Sequence, residues 1–250
     1  MIIDAHVNLD SDRYPVEDAM RALSASRIGS AVVFAHPESR DLNTQNRYVL
    51  RAARDHGLYP FFYLGGNPWS DSRPDDLEIP DNLDEYAGIR WHRWVGEDFD
   101  LEGTPDPGEL DWAVSVMESA EFEAFAAAAA HYNLPVIFEE SLTVTLEFAV
   151  RYPSLDIIVP HLGSRSGGQL NALRAFWDRP NVYFDTSLTI LDESVLARLG
   201  SDRILFGSNF PEGDPEIELD KIDRLPIPEE VKERIYGDNI ESLLSSYVLT

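Results

Sequence analysis

The stretch Ile2-Ile3-Asp4-Ala5-His6-Val7-Asn8 has the apolar character of a buried strand, and its last positions carry an imidazole and an amide. Side chains two residues apart in a strand project to the same side of it. His6 and Asn8 are therefore predicted to meet on one face where this strand ends. This arrangement has the geometry of a pair of metal ligands in which one ligand is altered.

Three later apolar runs end in a similar way, because a polar side chain follows each of them. Glu139, His161 and Asn209 occupy these positions. The carboxyl ends of parallel strands lie together at one edge of a sheet or one end of a barrel. The four strand ends are therefore predicted to converge on a single pocket.

Apolar runs of strand length recur at eight places along the chain. They lie near residues 2–7, 30–35, 59–64, 87–91, 135–138, 157–160, 182–184 and 204–206. Their nearly continuous hydrophobicity is typical of parallel strands that are covered on both faces. Helices are predicted between most of them, at 15–26, 41–56, 121–132, 142–151 and 169–177, and a closing helix at 229–235. This alternation predicts a single-domain (β/α)8 barrel over residues 1–250.

Two long stretches interrupt the alternation, near residues 65–82 and 93–114. Both follow predicted strands, so both are expected on the face where the site lies. They contain or adjoin four tryptophans, Trp69, Trp91, Trp94 and Trp112. Two interpretations stay open: an aromatic lid over a substrate, or a small additional core that holds long loops against the barrel.

The chain is strongly acidic, with 45 acidic residues against 20 basic ones and a formal net charge of -25. Only two of the basic residues are lysines, Lys221 and Lys232. Binding to nucleic acid or to an anionic membrane needs clustered basic side chains, so neither partner is expected. The charge exceeds what solubility requires, which favours a halophilic protein over an ordinary acidic enzyme.

The chain contains no cysteine, which excludes disulfides, thiolate metal sites and cysteine nucleophiles. No apolar run approaches the roughly 18 residues that a membrane span needs. The predicted first strand is not preceded by a secretory signal. A cytoplasmic location is therefore expected.

Five short motifs together resemble the amidohydrolase superfamily, and within it the metal-dependent hydrolases of the amidohydrolase 2 branch. They are Asp4-x-His6-x-Asn8, Gly88-Ile89-Arg90-Trp91-His92, His161-Leu162-Gly163, the run 181–187 and the run 206–211. The resemblance covers nearly the whole chain and implies a TIM barrel, the fold that the strand pattern also predicts. It further implies a small-molecule substrate and admits a homodimer.

The resemblance implies five metal-site positions, of which two match the branch and three depart from it. His6 and His161 match, whereas Asn8, Glu139 and Asn209 stand where the branch has His, His and Asp. Glu139 restores the formal charge that Asn209 lacks. Because this set is richer in oxygen than a histidine-rich zinc site, the expected cofactor is one divalent ion, either Zn or a harder ion such as Mn, Mg or Ca.

The resemblance implies hydrolysis of a C–N or C–O bond of a small organic molecule, with water activated by the metal. In the family the strand-eight Asp accepts the proton of that water, and Asn209 cannot do so. Glu139 and His161 are therefore the predicted acid and base groups, with Asn209 beside them in the catalytic set. Three alternatives stay open: a metal-dependent decarboxylase, a metal-free enzyme similar to certain lactonases, and an inactive binding paralogue.

Further side chains at or near strand ends are predicted to contact the substrate: Arg90, His92, His36 and Asp185. Arg90 has the planar donor geometry that clamps a carboxylate. Structural pairing with Arg90 is the alternative role for Glu139. Strand alternation predicts that Glu139 faces the barrel mouth and that Glu140 points the opposite way.

The acidic surface leads to a prediction about salt. Like charges repel each other over about 10 Å at 0.1 M ionic strength, and molar salt shortens this distance to about 3 Å. We expect the melting temperature to rise steeply from dilute buffer to molar KCl, with loss of the fold at low salt. Circular dichroism melts measure it, and equal melting temperatures in both buffers would exclude the halophilic interpretation.

Overall fold

The computed structural model describes residues 1–65, 79–92, 114, 117–245 and 247. Eight parallel strands follow one another in chain order around a nearly closed barrel. The strands are β1 (Ile3–Leu9), β2 (Ser30–Ala35), β3 (Tyr59–Gly65), β4 (Gly88–His92), β5 (Val136–Phe138), β6 (Ile157–Val159), β7 (Val182–Asp185) and β8 (Ile204–Leu205). The predicted single-domain (β/α)8 barrel is confirmed, and all eight predicted strands are present.

Helices lie between the strands, as this fold requires. They are α1 (Val16–Ala25), α2 (Leu42–His56), α3 (Ala120–Tyr132), α4 (Leu142–Arg151), α5 (Gln169–Phe176), α6 (Glu193–Leu199), α7 (Pro215–Asp223), α8 (Glu229–Glu233) and α9 (Asn239–Leu243), with a π turn at Arg234–Asp238. The apolar pattern does not predict α6 or α7. The first buries only Val195 and Leu199, and in the second the charged Glu218 is buried while Ile217 is exposed, so neither has a continuous apolar stripe. Their capping residues Asp192 and Asp214 were the available signal, since each accepts backbone N–H groups of the first turn.

The first strand closes the barrel against the segment that begins with β8. The backbone N–H groups of Ala5 and Asn8 donate to the carbonyl oxygens of Phe206 and Phe210, both at 2.8 Å. A parallel bridge between Val7 and Phe210 continues this contact. The first strand and the segment that begins with β8 therefore meet along one line, which we call the closing seam.

Asp4 reinforces the closing seam from inside. Its Oδ1 accepts the backbone N–H of His6 at 3.0 Å and that of Ser208 at 2.9 Å, so one carboxylate oxygen joins β1 to the loop after β8. The side chain is fully buried, and its Oδ2 has no hydrogen-bond partner among the described residues. Burial raises the pKa of Asp4 from 3.8 to about 7, because a carboxylate charge is poorly solvated there.

Close packing inside the barrel begins below the mouth. The ring of Phe61 on β3 lies against Gly88 on β4, where a Cβ atom would be only 2.3 Å from it. Glycine is therefore required at this position. Gly88, Arg90 and His92 alternate along β4, so they share the inner face and the two polar side chains lie above the Phe61 layer.

An aromatic cluster fills the layer between β4, β5 and the helices outside them. Phe138 stacks on Phe148 with ring centroids 4.3 Å apart, and Trp91 packs against Phe125 at 4.7 Å. The Trp91 indole N–H donates to Glu140 Oε1 at 2.8 Å. Glu140 therefore points outward, as strand alternation predicts.

The two predicted lid stretches lie mostly outside the described residues, and so do Trp69, Trp94 and Trp112. Trp91 is described and is a buried part of β4. Among the residues that the structure describes, no helix is both long enough and apolar enough to cross a bilayer.

The buried Asp4 leads to a prediction about pH. Between pH 4 and 7 the unfolded chain loses a proton at Asp4 while the folded chain retains it, so rising pH weakens the fold. An Asp4→Asn variant lacks this titration. Its unfolding free energy relative to the wild type should increase by up to about 4 kcal/mol from pH 4 to pH 7.5, which corresponds to a pKa change from 3.8 to about 7.

Urea unfolding of both proteins across this pH range, in a constant high salt concentration, measures the difference. Asp12→Asn is the matched control, since Asp12 is exposed on the loop after β1. A constant difference between the Asp4→Asn variant and the wild type would show that Asp4 is ionised in the folded protein at all of these pH values.

Candidate active site

The polar side chains predicted at the strand ends lie together at the carboxyl end of the barrel. They come from six strands or the residues just after them, and all are buried: His6, Asn8, Arg90, His92, Glu139, His161, Asp185 and Asn209, each at most 8% exposed. Direct contacts link most of them into one network. Their functional roles stay predictions.

Asp185 at the end of β7 orients His6. The His6 Nδ1 lies 2.9 Å from Asp185 Oδ2. Burial lowers the pKa of His6 to about 4, so this imidazole is neutral at pH 7. Burial opposes ionisation of Asp185, but the attraction and hydrogen bond of His6 outweigh it and lower the pKa of Asp185 to about 2. The Nδ1 of His6 therefore carries the proton, and its Nε2 presents a lone pair to the pocket.

Asp185 also orients His161, through Ser187. The Ser187 hydroxyl donates to Asp185 Oδ1, which leaves the Ser187 Oγ to accept from His161 Nδ1 at 2.8 Å. The backbone N–H of His161 donates to the same Oδ1 at 3.1 Å. His161 thus has its proton on Nδ1, and its Nε2 faces Glu139 Oε1 at 3.6 Å.

Two site residues have left-handed backbone conformations. The φ angle is 56° at His161 and 57° at Asn209. Residues other than glycine rarely adopt this region, and each instance costs on the order of 1 kcal/mol or more. The hydrogen bond from the His161 backbone to Asp185 compensates for part of this strain and fixes the direction of the imidazole.

Arg90 on β4 contacts two of the predicted metal ligands. Its Nη1 donates to Asn8 Oδ1 at 2.9 Å, and its Nη2 donates to Glu139 Oε2 at 2.7 Å. The guanidinium lies over the Phe34 ring, 4.3 Å from its centroid, and 5.6 Å from that of Tyr63. Such faces stabilise a buried cation. The pairing of Glu139 with Arg90 is therefore present.

Glu139 is ionised at the centre of this network. Burial alone would raise its pKa, but His92, His161 and Arg90 together lower the pKa of Glu139 well below its ordinary value. His92 lies with its Nε2 3.8 Å from Glu139 Oε2, and burial lowers the pKa of His92 to about 3. Because His92 is neutral at pH 7, Arg90 is the permanent charge that neutralises Glu139.

Asn209 and His36 take less central positions. Asn209 Oδ1 accepts from Asn8 Nδ2 at 3.4 Å, so Asn209 supports Asn8. His36 Nε2 lies 2.6 Å from Glu212 Oε1, and its Nδ1 lies 3.3 Å from Arg13. The role of His36 in substrate binding stays a prediction.

Sequence reasoning missed three contributors to this network. Ser187 lies two residues after Asp185, a spacing that places both on one side of the strand end and was the available signal. Phe34 and Tyr63 belong to strands β2 and β3, where a buried aromatic side chain looks like ordinary core. Both rings lie against the Arg90 guanidinium, and the Tyr63 hydroxyl lies 3.2 Å from His92 Nδ1, contacts that the folded barrel alone brings about.

Part of the described chain has the residue types of a metal site. His6, His161 and Asp185 each offer one ligand atom, and these atoms lie within 4.8 Å of one another. However, Asp185 Oδ2 is bonded to His6, and Asp185 Oδ1 accepts from His161 and Ser187. Glu139 is neutralised by Arg90. Glu139, the one charged residue among the predicted ligands, therefore offers no uncompensated charge, and both oxygens of Asp185 already accept hydrogen bonds. The residues do not fit the predicted ion as they are arranged.

A sequence profile of the amidohydrolase family matches residues 3–245, which is nearly the entire chain. The chain belongs to the amidohydrolase family. Members of this family typically depend on a metal ion. No curated protein matches the chain in sequence.

Solved structures show the same fold at low sequence identity. An amidohydrolase 2 from Bifidobacterium longum subsp. infantis has a TM-score of 0.66 and 20% identity, with 98% of each chain covered. A putative 2-pyrone-4,6-dicarboxylic acid hydrolase from Pseudomonas putida has a TM-score of 0.65 and 14% identity, with 99% of this amidohydrolase and 98% of that chain covered. A 2,6-dihydroxybenzoate decarboxylase complexed with 2,6-dihydroxybenzoate has a TM-score of 0.65 and 13% identity, with 98% of each chain covered.

Proposed function

We propose that this amidohydrolase hydrolyses a C–O or C–N bond next to a carbonyl group in a small organic carboxylate. One observation carries the proposal. His6 Nε2 and Arg90 Nε are both buried and both lack a hydrogen-bond partner within the described part of the chain, although each belongs to the otherwise well-bonded network around Glu139. Buried polar atoms are rarely left unpaired. An acceptor for Arg90 and a donor for His6 are what a bound substrate or water would supply.

The chemistry of the pocket suits a carbonyl substrate. Arg90 has donors that neither Asn8 nor Glu139 uses, and these can bind a carboxylate or the oxygen of a carbonyl group. The side chains of the site are almost completely buried, and a fixed cation in such a site stabilises developing negative charge more strongly than it would in bulk water.

The similar structures support a carboxylate as the substrate class. The P. putida protein is described as a hydrolase of a dicarboxylic acid, and the decarboxylase binds a hydroxylated benzoate. Both molecules are small, cyclic organic acids. The buried guanidinium of Arg90 matches that class of ligand.

The proposed reaction uses His161 as the base and then as the acid. Nε2 of His161 takes a proton from water while the water oxygen forms a bond to the carbonyl carbon. The resulting oxyanion is stabilised by Arg90, and the imidazolium of His161 is stabilised by Glu139 Oε1, 3.6 Å away. When the C–O or C–N bond breaks, His161 returns the proton to the leaving oxygen or nitrogen. The sum is addition of one water across the cleaved bond.

Glu139 and His161, the predicted acid and base groups, therefore have different roles in this reaction. Glu139 has a low pKa, so it is a weak base and acts through its charge. Asn8 and Asn209 keep Arg90 in place and take no proton. Metal-dependent decarboxylation is the second activity that the fold admits, and it differs in its product.

The proposal predicts that His161 is essential for turnover. A His161→Asn variant should lose about 10²- to 10⁴-fold in kcat, since it lacks the proton acceptor. His131→Asn is the matched control, because His131 is exposed at the end of α3, and it should retain wild-type activity. The measurement uses a panel of carboxylate-bearing lactones, esters and amides, with products identified by mass spectrometry.

The masses of the products decide between the candidate activities. A product that has gained one water supports hydrolysis, and loss of carbon dioxide would establish decarboxylation instead. Turnover that is the same in His161→Asn and in the wild type would contradict the proposed role of His161. If no member of the panel is converted by the wild type, the proposed hydrolysis of these classes is wrong.

A further inference from the structure

We infer that Arg90 is the resident cation of this site and that the site does not take a divalent metal ion. The inference rests on the proposed function, because it concerns the same pocket. Arg90 is 2% exposed, and its guanidinium is held between the oxygens of Asn8 and Glu139. Both of these oxygens belong to predicted metal ligands.

The guanidinium is fixed from several directions. Asn8 and Glu139 accept hydrogen bonds from different nitrogens, so both ends of its planar fork are bound. The faces of Phe34 and Tyr63 lie 4.3 Å and 5.6 Å from it. These contacts provide the cation with both charge compensation and an apolar enclosure, which a freely mobile arginine would not have.

Charge balance argues against an additional ion. Among the predicted ligands, Glu139 carries the single negative charge, and Asn8 and Asn209 are neutral. Arg90 alone balances Glu139. Even with the Asp185 carboxylate counted, a divalent ion bound beside them would leave an excess of one positive charge in a buried environment, where such an excess is unfavourable.

Asp185 is not available as a ligand for such an ion. Its Oδ2 holds the proton-bearing Nδ1 of His6, and its Oδ1 accepts from the His161 backbone, the Ser187 backbone and the Ser187 hydroxyl. Coordination by Asp185 would break contacts that orient both histidines. The carboxylate therefore serves to position the two histidines.

The test compares metal binding by the wild type and by Arg90→Met, a variant that frees Asn8 and Glu139. Protein purified without chelator and without an affinity tag is assayed by elemental analysis, by calorimetric titration with MnCl2 and ZnCl2, and by melting with and without EDTA. We expect substoichiometric metal in the wild type and no change of its melting temperature with either ion. Arg90→Met should bind one ion and should melt at a higher temperature when that ion is in excess.

Three further variants serve as controls. Arg174→Met makes the same change on the exposed side of α5 and should gain no metal binding. Arg90→Met/Glu139→Gln should lose the binding that Arg90→Met gains. If Arg90→Met does not fold, Arg90→Lys retains the charge, and it should fold and remain free of metal.

Stoichiometric metal in the wild type, lost on chelation together with a fall in melting temperature, would overturn the inference. A folded Arg90→Met protein that binds no ion would also overturn it, because Arg90 would then not be the cause of exclusion. These outcomes are independent of the hydrolysis assay. Metal-dependent hydrolysis by the wild type would refute this inference alone, whereas a metal-free protein without hydrolytic activity would refute the proposed function alone.

Discussion

Arg90 and Glu139 form an ion pair that is almost completely removed from water, and neither charge would persist in that position without the other. Leaving one member of such a pair unpartnered typically costs about 3–5 kcal/mol. The neighbouring groups are arranged around this requirement. Asn8 accepts from the other end of the guanidinium, Asn209 supports Asn8, and Phe34 covers the cation. Thus the three side chains that depart from the family pattern, Asn8, Glu139 and Asn209, form one connected set with Arg90.

The second organising group is Asp185, which acts on both histidines at once. It binds His6 directly and reaches His161 through Ser187 and through the backbone. As a result, each imidazole has its Nδ1 occupied and directs its Nε2 toward the pocket. The tautomers are set by the protein alone. The pocket therefore combines a fixed cation, a fixed anion and two oriented imidazoles.

Much of this architecture could be predicted from the sequence, because parallel barrel strands are continuous apolar runs and their polar last residues converge by geometry. This holds for His6, Glu139 and His161. Contacts between side chains that are far apart in the chain could not be predicted in this way. Arg90 was expected to contact a substrate, and its pairing with Glu139 was the alternative. The structure shows that pairing and a contact with Asn8 that was not expected, since the unfavourable burial of Glu139 is relieved by the nearest guanidinium. The direction of a long side chain depends on charges that only the folded barrel brings close.

The apolar pattern of the sequence also failed to predict the helices α6 and α7. α6 buries only two residues, and α7 buries Glu218 while Ile217 is exposed, so Asp192 and Asp214 at their N-termini are a clearer sequence signal than a hydrophobic stripe. Their capping side chains act locally, whereas Arg90 acts across the barrel. A helix cap can be recognised in the sequence, whereas the partners of Arg90 are known only from the distances in the folded structure.

The closing seam affects how the polypeptide can acquire its structure during synthesis. The bond between Asp4 and the Ser208 backbone joins residues 204 positions apart. At translation rates of about 5–20 residues per second, β1 waits roughly 10–40 s for its partner segment to emerge from the ribosome. During that interval one edge of the first strand lacks its neighbour, and an unpaired strand edge is prone to intermolecular association. The many carboxylates of the nascent chain repel other copies during this vulnerable period.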